Sequence, residues 1–372
     1  MFKKSLAAVA VLAAFAGSAY AADVTMYGRV DLGLRFTNTD ADKPNGDDVN
    51  KFEMASGNYT GSRFGLKGEE DLGNGMKVAF VLENGFDADD GSFDSNGDDK
   101  IFGRQASLHL KGSFGEVAFG RMGIMNSTAG TFGIGQFSAL ETGWGDVGNQ
   151  NLIWGAGFSS RLDNMVTYAT PEFAGAKVIA QYSFGKTDSA TESVEGKPTT
   201  DRYAGIGATY NANNFALRLI VDTINKKSGP ATVAHDVDDT VRVTLGGSYD
   251  FGVVKPFLAA SYFKDGSVST IPGADKIAGV YDGYGVVLGA NAPLFGGTLK
   301  ATAGYLDAEQ QNVAAAAAQD VSRFIVGAGY EYKLSKRTVV YADAGYGQDD
   351  IDNRDADKPS YFQAAVGMAH YF

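Results

Sequence analysis

Apolar and polar residues alternate with a period of two along most of this 372-residue chain. In TMYGRVDLGLRF, residues 25–36, the even positions read M-G-V-L-L-F, and the odd positions from 27 onward read Y-R-D-G-R. The stretches RYAGIGATY, TVRVTLGGSYD and TLKATAGY repeat this two-faced pattern. Successive side chains of a β-strand point to opposite faces, so this period indicates strands rather than helices. Each predicted strand has one face suited to an apolar environment and one suited to water.

The connections between the predicted strands alternate between short and long. Short turns are predicted at residues 71–75, 112–115, 171–175, 211–214, 250–253, 293–297 and 333–336. Long polar loops are predicted at residues 37–58, 87–100, 122–160, 185–201, 223–239, 264–282, 306–320 and 347–359. Seven turns and eight loops separate sixteen strands. An even number of antiparallel strands with short turns at one end and long loops at the other is typical of an outer-membrane β-barrel.

The chain ends inside this pattern, in SYFQAAVGMAHYF, residues 360–372. An unpaired strand would leave a row of free backbone donors and acceptors, and a bilayer offers no water to satisfy them. We therefore expect the last strand to pair with the first and close the barrel, with Phe362, Val366, Met368 and Phe372 on its outer face. The alternative is a soluble β-sandwich or propeller, whose buried strands would not keep arginine and aspartate on one face so regularly.

The N-terminus predicts export. MFKKSLAAVAVLAAFAGSAYA has two lysines, an apolar run and a small-x-small ending, so residues 1–21 are predicted to be a cleaved signal peptide and residues 22–372 the barrel domain. An N-terminal anchor helix is the alternative. No later apolar run reaches 18 residues, and the chain has no cysteine for disulfides or thiolate metal sites. A net charge of −12 argues against nucleic acid as a partner.

Several segments together resemble the general, trimeric porins of Gram-negative outer membranes. They are SRFGLKGEEDLGNGMKVAFVLE, RQASLHLKGSFGEVAFGR, TYATPEFAG, YEYKLSKRTVVY and VGMAHYF, spread over the whole predicted barrel domain. The resemblance implies a sixteen-stranded barrel, a homotrimer, loops facing outside the cell and a third long loop folded into the lumen. It also implies that the C-terminal strand resembles the signal read by the outer-membrane assembly machinery.

The same resemblance implies a pore constriction between carboxylates of the third loop and a ladder of basic side chains on the wall. The loop, residues 122–160, contains Glu141 and Asp146 as its acids. The ladder candidates are Arg29, Arg63, Arg104 and Arg161. Alternation places three of them inward, whereas Arg104 shares the parity of outward residues and needs a bulge or loop to reach the lumen. Each arginine could instead be a solvated charge or pair with Asp31 or Asp163.

Further lumen-facing residues predicted by alternation are Asp31, Lys67, Glu83 and Lys111. The enteric PEFGG segment is absent from the third loop, and a similar PEFAG lies in a short turn, so the identity of the loop carboxylates that face the ladder stays open. The wall leans basic while the loops and the total charge lean acidic. We expect a weak cation preference from this balance.

These observations predict a passive general diffusion porin for ions and small hydrophilic solutes, with outer-membrane lipids and lipopolysaccharide as its surroundings. A sugar-selective channel is an alternative, with Phe132, Phe137, Trp144 or Trp154 as stacking surfaces, and an adhesive or structural barrel is another. Three scattered histidines predict neither an enzyme nor a metal centre, and we expect no cofactor. The acidic segments 87–100 and 349–358 read as solvated loops, and divalent ions bridging them to lipopolysaccharide phosphates is a hypothesis.

Overall fold

The computed structural model describes residues 24–43, 48–93, 100–135, 137–140, 144, 153, 157–185, 200–226, 238–355 and 358–372. The predicted signal peptide lies outside these ranges. No helix in the described part of the chain is long and apolar enough to cross a membrane.

A single antiparallel sheet closes into a barrel. In the described ranges its strands are β1 (Thr25–Asp40), β2 (Val49–Ser56), β3 (Arg63–Gly73), β4 (Met76–Gly85), β5 (Gln105–Gly112), β6 (Gly115–Gly123), β7 (Arg161–Ala169), β8 (Ala176–Ser183), β9 (Arg202–Ala212), β10 (Phe215–Asn225), β11 (Thr240–Tyr249), β12 (Lys255–Gly266), β13 (Val280–Leu294), β14 (Gly297–Gln311), β15 (Val321–Lys333), β16 (Thr338–Ile351) and β17 (Ser360–Tyr371). From β3 onward each strand pairs with the next one in chain order, and β1 pairs with β2, β3 and β17. A short 3-10 turn, Ala315–Ala317, lies between β14 and β15.

The last strand closes the barrel on the first, which confirms the prediction. The β1–β17 ladder runs from Arg29 opposite Tyr371 to Asp40 opposite Ser360. At its end Gly28 and Phe372 exchange backbone hydrogen bonds of 3.0 and 3.1 Å. Val366, Met368 and Phe372 are exposed on the outer face, and the half-buried Phe362 packs its ring against Phe36 on the same face. The β1–β17 pairing therefore joins the two ends of the sheet, as a bilayer requires.

The second strand of the wall is interrupted. Residues 25–29 of β1 pair with β3, and residues 32–39 pair with β2, so β2 and β3 together occupy one of the sixteen places in the barrel. Between them, residues 57–62 leave the ladder. The sequence analysis placed residues 37–58 in one long loop and missed β2, because lysine and glutamate in VNKFEMAS obscure its apolar face.

Apolar side chains fill part of the interior. A cluster of buried apolar residues joins inward side chains of β6–β15 to the connection between β6 and β7, residues 124–160, which we call the inner loop. Its described residues lie inside the barrel, which confirms the inward-folded third loop. The predicted short turns join strands at the opposite end from the long loops, with β14 and β16 extending further into the predicted loops, to Gln311 and Ile351.

Candidate pore constriction

The inner loop is tied to the barrel wall by hydrogen bonds. The backbone N–H of Met125 donates to Gln181 Oε1 at 2.9 Å, and Gln181 Nε2 donates to the Gly123 carbonyl at 3.0 Å. Further along, the side-chain amide of Asn126 lies 2.8 Å from Thr244 Oγ1. Several strands therefore hold the loop in place across the lumen.

Glycines make room for the inner loop on one wall. They occupy inward positions of β9, β11 and β13–β15 and meet loop residues: Gly205, Gly207, Gly246, Gly285, Gly289, Gly304 and Gly329. A Cβ at Gly304 would lie 2.8 Å from Ile153 Cγ1, closer than such atoms pack. We call this set the glycine wall. The loop lies where side chains are missing, so these positions act through close approach rather than through backbone freedom.

Arginines occupy the wall where the barrel closes. Arg29 stands directly opposite Arg63 in the β1–β3 register, and opposed residues of antiparallel strands share a face. Glu83 stands opposite Gly65, which lies two residues beyond Arg63 on the same inward face. Opposed like charges are unfavourable, so these two guanidinium groups need partners from elsewhere.

Those partners are nearby. Arg29 Nη1 donates to Thr60 Oγ1 at 2.9 Å, and its guanidinium lies 5.0 Å from the Tyr371 ring centre. Arg63 Nε donates to the Gly61 carbonyl at 2.9 Å, and its Nη1 lies 3.5 Å from Glu83 Oε1. Glu83, two neutral oxygens and the Tyr371 ring therefore contact these two arginines.

The structure brings Arg104 into the same group. It precedes β5, and its backbone N–H donates to the Glu83 carbonyl at 3.2 Å while its Nε lies 3.0 Å from Glu83 Oε1. Strand parity does not apply at this position, because the chain bends before the ladder begins at Gln105. We call Arg29, Arg63, Arg104 and Glu83 the arginine cluster.

Arg161 reaches the cluster by a different route. Its Nε donates to the Arg104 carbonyl at 3.0 Å. Simple alternation fails here, because the β6–β7 register shifts between Gly120 and Met122, and both Leu162 and Met165 are buried. Arg161 was predicted to belong to the basic ladder, and it lies beside Arg104 even though the ladder is irregular there.

A neighbouring set of ion pairs was not predicted. Arg121 Nη1 lies 2.6 Å from Asp163 Oδ1, and Lys100 Nζ lies 3.1 Å from Asp163 Oδ2. Arg121 also donates to the Gly103 carbonyl at 2.6 Å, so it fixes the bend that presents Arg104. Arg121 stands opposite Ala106, on the outward parity, and this parity gave no reason to select it from the sequence.

The remaining predicted lumen residues are placed as follows. Lys67 Nζ lies 5.3 Å from the Tyr27 ring centre, and Lys111 Nζ lies 2.9 Å from Glu69 Oε2. Asp31 faces inward but is 0% exposed, because residues 57–62 cover it. The predicted loop acids Glu141 and Asp146 lie outside the described residues, as does Trp154.

The aromatic residues considered for sugar stacking are used in packing. Phe132, Phe137 and Trp144 are only 2%, 1% and 4% exposed. The Phe132 ring stacks on His109, with ring centres 5.7 Å apart. These three rings present almost no surface to the pore. Among the described residues, no group of three or more His, Cys, Asp or Glu side chains could hold a metal ion.

A closed barrel with an inner loop and charged inward residues is the arrangement of a channel, and comparison with known proteins decides its family. The family model for Gram-negative porins matches residues 8–353. The chain belongs to the Gram-negative porin family. This porin is therefore an outer-membrane β-barrel, and its family is one of channels rather than of enzymes.

Related porins cover its whole length. It is 34% identical over 405 residues to an outer membrane porin protein of Bordetella pertussis, with 100% of both chains covered. It is 32% identical to outer membrane porin protein 32 of Delftia acidovorans, with 95% of this chain and 91% of the relative covered. Among solved structures, an anion-selective porin from Comamonas acidovorans matches with a TM-score of 0.66 and 27% identity, covering 95% of this chain and 100% of that one.

Proposed function

We propose that this porin is a passive, general diffusion channel whose constriction lies between the arginine cluster and the inner loop. Ions and small hydrophilic solutes pass through it without energy input. The arrangement that supports the proposal is a lumen narrowed from one side by a packed loop and lined on the other by fixed cations. Low-dielectric walls on both sides focus the field of these charges across the water-filled gap.

We further propose that the channel prefers anions. This differs from the weak cation preference expected from the sequence, which rested on the acidic loops and the total charge. Glu83 contacts both Arg63 and Arg104, Arg29 bonds to the neutral Thr60 hydroxyl, and Asp31 is covered. The solved structure described as an anion-selective porin supports the same sign in a related chain.

The test is reconstitution of the purified protein. Single-channel recording in a planar bilayer gives conductance, and swelling of protein-containing liposomes gives the entry rates of solutes matched in size but opposite in charge. We expect a large steady conductance and faster entry of the anionic solute. A folded protein that does not conduct removes the channel proposal and favours an adhesive or structural role. Block of the current by one sugar favours a sugar-selective channel.

The porin is also expected to assemble with copies of itself and with components of the outer membrane. We propose a homotrimer in contact with lipopolysaccharide, folded by the outer-membrane assembly machinery through its C-terminal strand. A solved Vibrio cholerae outer membrane protein with the same fold is described in a trimer form. Current that rises in three equal steps per insertion supports a trimer. Phe372→Ala, which removes the aromatic ring that packs over Gly28, should reduce the amount of assembled protein.

A further inference from the structure

The residues between β2 and β3 form an ordered segment inside the pore. Residues 57–62, which we call the inward segment, fold over Asp31. Asp31 Oδ2 accepts hydrogen bonds from the backbone N–H groups of Tyr59 at 2.8 Å and Thr60 at 2.7 Å. Its Oδ1 accepts one from the Tyr341 hydroxyl at 2.8 Å. The Asp31 carboxylate is buried from solvent and accepts hydrogen bonds from two backbone N–H groups of the inward segment. It therefore fixes the path of this segment.

The backbone of Asp31 completes this anchor. Its carbonyl accepts from the Gly57 N–H at 3.0 Å, and its N–H donates to Ser62 Oγ at 3.0 Å. Both ends and the centre of the inward segment are therefore bonded to one residue of β1. Without the carboxylate, two backbone N–H groups would be buried unsatisfied.

One face of the inward segment holds two arginines of the cluster. Thr60 Oγ1 accepts from Arg29, and the Gly61 carbonyl accepts from Arg63, both at 2.9 Å. A Cβ at Gly61 would lie 3.3 Å from Arg104 Nη1, so the third arginine passes close to the same peptide. The segment therefore places acceptors where the arginine cluster needs them.

The other face of the segment meets the inner loop and the wall. The Tyr59 ring lies edge-on to Trp144 with ring centres 5.0 Å apart and stacks on Tyr341 at 5.2 Å. Its hydroxyl donates to Glu331 at 2.8 Å. Asn58 Nδ2 donates to Asp343 at 2.7 Å. The inward segment thus joins the arginine cluster to the inner loop across the lumen.

We propose that Asp31 is a positioning residue for ion selectivity, which acts by holding the inward segment that orients Arg29 and Arg63. The proposal rests on the proposed channel and its anion preference. Asp31 does not act as a pore charge, because no water reaches its carboxylate. Its loss should therefore weaken the anion preference, whereas loss of an ordinary lumen acid should strengthen it.

Two substitutions at Asp31 separate these roles because they remove the same charge. In Asp31→Asn the amide oxygen can still accept from the two backbone N–H groups, and the amide nitrogen can donate to the Tyr341 oxygen. In Asp31→Ala every side-chain acceptor is lost. If Asp31 acts by positioning the inward segment, D31A should lower the anion-to-cation permeability ratio by about twofold, because the charges of Arg29 and Arg63 would move by a few ångströms. D31N should not lower this ratio.

Permeability ratios from reversal potentials, with noise on the open current, give the readout. Circular dichroism and heat-sensitive gel mobility check the fold. A wild type that does not conduct is a failure of the proposed function. A conducting, anion-preferring wild type in which D31A and D31N raise the ratio equally overturns the positioning role.

If D31A does not assemble, two variants that leave the net charge unchanged test the positioning role of Asp31. Thr60→Val keeps the branched shape but removes the acceptor of Arg29, and Tyr341→Phe removes one donor to Asp31. Both should lower the permeability ratio in the same direction by less than twofold. Ratios equal to that of the wild type in both variants contradict the proposal.

Discussion

The two sides of the lumen share the same alternating strand pattern but differ in the side chains at their inward positions. On the side where the barrel closes, inward positions carry long cationic side chains, held by Glu83 and the inward segment. On the opposite side, inward positions carry glycine, and the inner loop occupies the space that side chains would fill. Under the proposed function, one side sets the charge of the constriction and the other sets its width.

The largest effect is expected from filling the glycine wall. Gly285→Leu places its Cβ against the Ile153 carbonyl, and backbone cannot yield as a flexible side chain can. We expect the inner loop to be displaced at a cost of about 1–3 kcal/mol and the single-channel conductance to rise. Val286→Leu is the control, because Val286 is the next residue on β13 and points outward. Unchanged conductance in folded Gly285→Leu would contradict a seated loop.

Removing a positive or a negative charge from the arginine cluster should shift ion selectivity in opposite directions. Arg104→Gln removes a cation, and Glu83→Gln removes the carboxylate that partly neutralises Arg63 and Arg104. We expect the anion-to-cation permeability ratio to fall in the first and rise in the second, by about two- to threefold each. Reversal potentials measure both, and shifts of the same sign would contradict the charge assignment.

Lys300, on β14 of the glycine-wall side, is a cation whose effect on selectivity can be compared with that of Arg104. Lys300 lies 3.2 Å from Glu331 and 5.3 Å from the Trp144 ring centre, whereas Arg63 and Arg104 share the single charge of Glu83. Lys300→Gln should lower the permeability ratio less than Arg104→Gln does in the same salt gradient. An equal or larger shift would mean that both walls set selectivity.

The smallest effect is expected outside the pore, in the loops. Hydrogen bonding and charge from Lys43, with a further contribution from Arg354, lower the pKa of Asp275 from its ordinary value of 3.8. The stabilisation from these ion pairs is complete above the unfolded pKa and is lost as pH falls through the folded pKa. Asp275→Asn should therefore melt slightly below wild type at neutral pH, and this gap should close in acid. Melting curves over pH test this, and selectivity should stay unchanged.

Much of the barrel followed from alternation and turn chemistry. The short turns, the closing pair and the inward faces of Arg29, Arg63 and Glu83 need only a period of two and a bilayer that forbids open edges. The inward loop came from resemblance to a family. These features depend on local patterns that persist along the chain.

Alternation alone does not determine where side chains point when the ladder is irregular. The inward segment, the bend before Arg104 and the register shift near Arg161 each reset the parity, and no pattern of apolar residues marks them. Alternation placed Asp31 inward but could not show that residues 57–62 cover it. Binary patterns also treat inward glycine and inward arginine as the same polar class, so the glycine wall was not recognised.

The most direct test of the account is the reversal potential of the wild-type protein in a planar bilayer under a potassium chloride gradient. If the arginine cluster sets the charge of the constriction, the potential has the sign of anion permeation. A potential with the sign of cation permeation, from a folded and conducting channel, would contradict this claim and assign selectivity to the acidic loops.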